Sequence, residues 1–98
     1  MKKISNDEIL IKGKWLTEKM GAIIKDEESL RIEWLIHHHL KWIYKDDSGW
    51  LNLYQDPDDG RYWELTYENS DFHGGGAPSL KHISNIIAKE KYKFNPNI

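Results

Sequence analysis

The chain has 98 residues, no cysteine, and 14 basic against 16 acidic side chains, which give a formal net charge of −2. This length fits one domain, and the missing cysteines exclude a disulfide framework and a thiolate zinc site. A near-neutral charge argues against bulk electrostatic binding to nucleic acid or membrane, and apolar runs no longer than triplets exclude the ~20-residue apolar span that crosses a bilayer.

The first part of the chain predicts two short strands and a helix. Residues 9–16 alternate partly and read as a first strand, which pairs with a second strand over residues 21–24. Asp26 is a suitable N-cap for a helix from Glu27 to about His39, because acidic residues follow in its first turn. The apolar residues of this helix form a wide arc, with Leu30 and Trp34 on one face, so we expect it to pack on more than one neighbour.

An antiparallel meander is predicted next, with strands over residues 41–45, 50–55 and 61–67. Alternation places Trp42 and Tyr44 on the inner side of the first of these strands. The turn between the second and third strands, residues 56–60, combines proline and glycine with three aspartates, a strong tight-turn pattern.

The last third of the chain predicts a glycine-rich loop, a strand and a short helix. The loop covers residues 68–78, a strand follows over residues 79–83, and Ser84 can cap a helix over residues 85–92. Ile86 and Ile87 are expected on the inner side of this helix, and residues 93–98 form a frayed tail. The fold class is therefore α+β: one domain over residues 1–98, with an antiparallel sheet of about four to six strands, one long helix and a short C-terminal helix.

Charge and aromatic residues concentrate in the same part of the chain. Residues 46–71 contain eight acids and one base, and seven aromatic residues lie in the meander. Solvated turns explain part of the acidity, but the segment also fits a negative surface for a positively charged partner. A three-stranded meander cannot bury all seven aromatics unless both of its faces are covered, so an interface and a double-sided core are the two interpretations.

Catalytic and metal-binding motifs are incomplete. The sequence His73-Gly74-Gly75-Gly76 lacks the nucleophile elbow of an esterase, and the aspartates of residues 56–59 lack the glycine and acid that complete a calcium loop. Three consecutive histidines, residues 37–39, point about 100° apart on a helix and cannot bind one ion together. We therefore expect no cofactor and no metal; the alternative is a small metal-dependent enzyme that uses His73 with Asp56 or Asp58.

Residues 31–92 resemble the immunity protein 27 family of bacterial polymorphic toxin systems. The resemblance rests on four stretches: residues 31–35, 46–50, 53–67 and 73–78, the last of which contains the glycine triplet. The chain departs from the family pattern at Phe72, at Ala77 and at Lys81-His82.

The resemblance implies a small cytoplasmic antidote that binds a cognate toxin domain. The expected toxins are nucleases with basic clefts or toxins of contact-dependent inhibition. We expect a one-to-one complex, with no direct binding to nucleic acid or membrane. The basic N-terminal segment, residues 1–25, is the alternative interface if the toxin is acidic. The residues expected to contact the toxin are Asp46, Asp47, Tyr54, Asp56, Asp58, Asp59, Tyr62, Glu64 and His73.

Overall fold

A five-stranded antiparallel sheet lies at the centre of the structure, a computed structural model that describes residues 2–17, 23–67 and 76–93. His73, most of the glycine loop and the tail after Lys93 lie outside these residues. The sheet has the order β1-β7-β6-β5-β4, and β2 and β3 form a separate two-stranded sheet. The elements are β1 (Leu10–Lys12), β2 (Trp15–Thr17), β3 (Ile23–Lys25), α1 (Glu27–His38), β4 (Lys41–Lys45), β5 (Asn52–Gln55), β6 (Tyr62–Tyr67), β7 (Pro78–Ile83) and α2 (Asn85–Tyr92).

The predicted α+β architecture and the meander β4-β5-β6 are confirmed. The predicted first strand, residues 9–16, is divided into β1 and β2, because the backbone pairs with different strands before and after Gly13. The Gly13 N–H donates to the carbonyl oxygen of Pro78 at 2.9 Å, and an added Cβ would lie 2.8 Å from that oxygen. β1 therefore joins the large sheet beside β7, whereas β2 leaves it to pair with β3.

Helix α1 begins where the sequence predicts it to begin. Asp26 is its N-cap, and the Asp26 side chain accepts a hydrogen bond from the Ser29 N–H at 2.9 Å. Ile32 and Leu35 are buried against one face of the sheet, whereas Leu30 is exposed. With 12 residues, α1 is a helix of ordinary length. The sheet residues in this core are Ile11, Trp63, Leu65 and Leu80.

Helix α2 covers the opposite face of the sheet, but not with the residues predicted. Ser84 caps it, as expected, by accepting from the Ile87 N–H. Ala88 and Tyr92, one turn apart, are the buried residues, and Ile86 and Ile87 are exposed. The prediction that both isoleucines face inward was wrong, because the i, i+4 pair of a small and a large side chain fits over β5 and β6 instead.

The N-terminal segment, residues 2–9, is bound to the domain by two arginines. The guanidinium of Arg31 is largely buried, donates to both carboxylate oxygens of Glu8 at 2.7 and 2.8 Å, and also reaches the carbonyl oxygens of Lys2 and Lys3. Arg61 donates to the carbonyl oxygens of Ser5 and Glu8 at 2.8 and 2.7 Å. Charge-assisted bonds of this kind are among the stronger ones in proteins, so they fix the segment across the end of the sheet.

We expect Glu8→Gln to lower the free energy of unfolding by about 1–2 kcal/mol at pH 7, since a charged hydrogen-bonded pair is lost. The Arg31 hydrogen bonds lower the pKa of Glu8 from 4.5 to about 2. Because the folded-state pKa is depressed, the stabilisation is complete above about pH 4.5 and is lost as the pH falls toward 2. Urea denaturation at pH 7 and at pH 3 should therefore show a smaller difference between variant and parent at the lower pH.

Glu28→Gln is the matched control for this experiment. Its carboxylate lies 3.9 Å from Arg31 and is half exposed, so the change should have little effect on stability. Equal losses for the two variants would contradict the assignment of Glu8 as the main partner of Arg31.

Candidate functional site

Exposed aromatic side chains lie on the half of the sheet that α1 leaves open. α1 packs mainly on β1 and β7, at one side of the sheet. On the same face, Trp42 in β4 lies opposite Tyr54 in β5, which lies opposite the buried Trp63 in β6. Trp42 is 51% exposed and Tyr54 is half-buried, so the aromatic row runs from the core to the surface.

The aromatic row continues toward the turn between β4 and β5. Trp50 is 73% exposed and Tyr67 is 46% exposed, and together with Leu51 and Thr66 they line a shallow groove of about 380 Å³. Burial raises the pKa of Tyr54, and the neighbouring Tyr67 adds to the shift. We call the surface formed by Trp42, Tyr54 and Tyr67, which share one face of the sheet, the open face.

A β-bulge divides the exposed aromatics of β4 between the two faces of the sheet. The register shifts between Trp42 and Tyr44, so that Tyr44 lies opposite Leu53, whose side chain belongs to the core under α2. Ile43 packs against that core as well. The prediction that Trp42 and Tyr44 both point inward was wrong: both are about half exposed, and the extra residue of the bulge places them on opposite faces.

The double-sided core accounts for part of the aromatic cluster, and the interface stays a prediction for the rest. Trp63 and Tyr62 are neighbours in β6 and are buried on opposite faces, as a double-sided core requires. The open face and Tyr44 remain exposed, as an interface requires.

The turn between β4 and β5 contains one structural acid and one exposed acid. The Asp46 carboxylate accepts from the Ser48 hydroxyl and from the backbone N–H groups of Gly49 and Leu51. The Ser48 hydrogen bond, together with the backbone ones, lowers the pKa of Asp46. The Asp47 carboxylate is almost fully exposed and lies 3.8 Å from the Lys93 ammonium.

The turn between β5 and β6 is organised by a buried carboxylate. Asp56 is 1% exposed; its Oδ1 accepts from the Asp58 N–H at 2.8 Å and lies 3.2 Å from His39 Nε2. Asp59 Oδ2 accepts a hydrogen bond from Arg61 Nε at 2.7 Å. This bond orients the guanidinium that donates to the carbonyl oxygens of the N-terminal segment. Asp58 has an exposed carboxylate in this turn.

Two further sequence-predicted contact residues are buried beneath α2. Glu64 Oε2 accepts from the Tyr92 hydroxyl at 3.0 Å and lies 2.7 Å from the Lys91 ammonium. Tyr62 packs in the same core. With Asp56, these two residues form the framework, whereas Asp47, Asp58 and Tyr54 reach the surface; His73 lies outside the described residues.

One group of potential metal ligands occurs in the described parts of the chain. His39, Asp56 and Asp58 each offer an atom within 4.8 Å of the others. His39 Nε2 lies 3.4 Å from Asp58 Oδ2, and the imidazole stacks on the Trp34 ring. Hydrogen bonds thus account for this group as a link between the end of α1 and the turn. The alternative of a small metal-dependent enzyme is not favoured, and sequence reasoning missed His39 because its partners are distant in the chain.

The family model for immunity protein 27 matches residues 18–84, about two thirds of the chain. The chain belongs to the immunity protein 27 family. No curated protein and no solved structure matches it. In the described ranges, no helix is both long enough and apolar enough to cross a membrane.

The match to the immunity protein 27 family confirms the resemblance found in the sequence, although its limits differ from residues 31–92. It includes α1 and the strands β4 to β7, and so the whole open face. The N-terminal segment and α2 lie beyond its ends. The family implies an immunity protein that binds a cognate toxin.

We expect Asp56→Ala to lower the free energy of unfolding by about 1–3 kcal/mol, because the Asp58 N–H and His39 lose a buried acceptor. Asp47→Ala is the control, since it removes an almost fully exposed carboxylate from the other turn and should change stability by less than about 0.5 kcal/mol. Chemical denaturation of both variants measures the difference. Equal stability of the two variants would show that Asp56 is not the organising residue of the turn.

Proposed function

We propose that this protein neutralises a cognate bacterial toxin domain by direct one-to-one binding in the cytoplasm, and so protects the cell that makes both. Membership of the immunity protein 27 family carries this proposal. The exposed aromatic residues support it, because tryptophan and tyrosine are enriched at protein interfaces and dominate their binding energy.

A nuclease with a basic cleft is the proposed class of toxin, delivered by a polymorphic or contact-dependent inhibition system. The support is electrostatic. The turns at the two ends of the β5 strand each present an exposed acid, Asp47 in one and Asp58 in the other. Such charges accelerate encounter with a positively charged partner more than they strengthen the final complex.

Co-expression provides the functional test. The toxin domain encoded beside this gene should arrest growth when expressed alone, and this protein should restore growth when expressed with it. Purified together, the two chains should elute as a one-to-one complex. A toxic neighbour that is neither bound nor neutralised would contradict the proposal.

We expect the double charge reversal Asp47→Lys with Asp58→Lys to slow association with that toxin domain about tenfold at low salt, because electrostatic steering is reversed. The difference should shrink as the ionic strength rises and the Debye length falls. Stopped-flow association kinetics at several salt concentrations measure both effects.

The control for this experiment is Glu90→Lys, which reverses one charge on the exposed side of α2 where the double variant reverses two. It should leave the association rate within about twofold of the parent rate. If Glu90→Lys slows association as much as the double variant, the effect comes from net charge and not from the acidic turns. Acceleration by the double variant would instead favour the basic N-terminal segment and an acidic toxin.

A further inference from the structure

We propose that the protein binds one zinc ion through His39, Asp56 and Asp58, between the end of α1 and the turn that joins β5 to β6. The imidazole and the two carboxylates each offer one ligand atom, and these atoms lie within 4.8 Å of one another. The site is structural and involves no catalysis. It is also independent of the proposed function, because it concerns a metal ion and not the toxin.

The distances around His39 Nε2 match those between two ligands of one zinc ion. Asp56 Oδ1 lies 3.2 Å from this nitrogen, and Asp58 Oδ2 lies 3.4 Å from it. In a tetrahedral site with bonds to zinc of about 2.1 Å, neighbouring ligand atoms lie about 3.4 Å apart. Hydrogen bonds between a charged nitrogen and a carboxylate are shorter, about 2.7–2.9 Å. The spacing therefore favours an ion between the ligands.

A proton on His39 satisfies only one of the two neighbouring carboxylates. Nε2 of an imidazole carries at most one hydrogen, but two carboxylate oxygens lie at nearly equal distances from this nitrogen. A divalent cation binds both carboxylates at once and balances their two charges while the imidazole stays neutral. Asp56 is 1% exposed, and buried charges in proteins are paired or bind metal ions.

The two inner ligands are held in place by their surroundings. The His39 ring is largely buried and stacks on the Trp34 ring, with an angle of 11° between the two planes. Asp56 Oδ1 accepts a hydrogen bond from the Asp58 N–H at 2.8 Å and keeps a second lone pair for a metal ion. Contacts of this kind orient the ligands of metal sites and raise their affinity.

Asp58 is the outer ligand of the site. Its side chain is 57% exposed, so the carboxylate is free to rotate toward the ion. The Lys3 ammonium lies 3.6 Å from the same carboxylate oxygen and is also exposed, so it can move into solvent when the ion binds. The fourth position of the zinc ion then faces solvent and takes a water molecule.

The ligand set selects zinc over calcium and magnesium. Those two cations take oxygen ligands, whereas an imidazole nitrogen is a preferred ligand of zinc. From the sequence we expected no metal, because His39 lies 17 residues before Asp56 and no local motif joins them. An ion that binds only the folded chain stabilises it, so zinc should strengthen the link between α1 and the turn.

Zinc chloride added to the untagged full chain tests the proposal. We expect one bound ion per chain by isothermal titration calorimetry. With zinc in large excess over its Kd, Tm should rise by at least about 4 °C, whereas magnesium chloride should leave it unchanged. His39→Gln and Asp58→Asn should each weaken zinc binding at least about tenfold, because each removes a ligand.

Two control variants separate this site from other histidines and acids. His38→Gln changes the exposed histidine next to His39, and Asp47→Asn changes an exposed aspartate in the turn between β4 and β5. Both should keep the parent affinity for zinc within about twofold. If His39→Gln does not fold, Asp58→Asn carries the test, because its side chain is exposed.

Loss of zinc binding in His39→Gln and Asp58→Asn, with binding kept in both controls, supports the site. Two results would overturn it. A parent protein that shows neither heat of binding nor a rise in Tm has no zinc site. Binding that survives in both ligand variants, or that His38→Gln reduces as much as they do, places the ion on other histidines of the chain.

Discussion

The central strand β6 is buried on both faces, and the rest of the structure follows from this constraint. Its residues alternate between two cores: Trp63 and Leu65 pack under α1, and Tyr62 packs under α2. α1 lies over β6 and toward β1 and β7, whereas α2 lies over β5 and β6 on the other face. β4, at the far edge, has no helix over its α1 side among the described residues, and the aromatic side chains there stay accessible.

Acidic residues serve two purposes in this protein, which composition cannot separate. Glu8, Asp56 and Glu64 are buried or partly buried and are satisfied by arginine, histidine, tyrosine and lysine partners. These pairs bind the N-terminal segment, one turn and α2 to the sheet. The exposed acids Asp47 and Asp58 also have cationic neighbours, Lys93 at 3.8 Å and Lys3 at 3.6 Å, so the surface is less acidic than the sequence of residues 46–71 suggests.

Local signals in the sequence predicted the elements well. Asp26 and Ser84 are the caps expected from their side chains, and Gly60 adopts the positive φ that the turn of residues 56–60 requires. The meander followed from alternation and from turn composition. Those features depend on residues a few positions apart, and so they can be read from a single sequence.

Features that depend on contacts between residues distant in the sequence could not be predicted in the same way. The bulge at Ile43 reverses the face of Tyr44, and no local pattern marks it. The inward face of α2 depends on the shape of the core it covers, so Ala88 was not distinguished from Ile87. Asp56 looks like any turn aspartate until His39 is placed beside it. The family could be recognised from the sequence, but which aromatic side chains are exposed became apparent only from the fold.

Isothermal titration calorimetry of this protein with the toxin domain encoded beside its gene tests the proposed function most directly. We expect saturable binding with one-to-one stoichiometry. A folded and active toxin domain that this protein does not bind would contradict the proposed function.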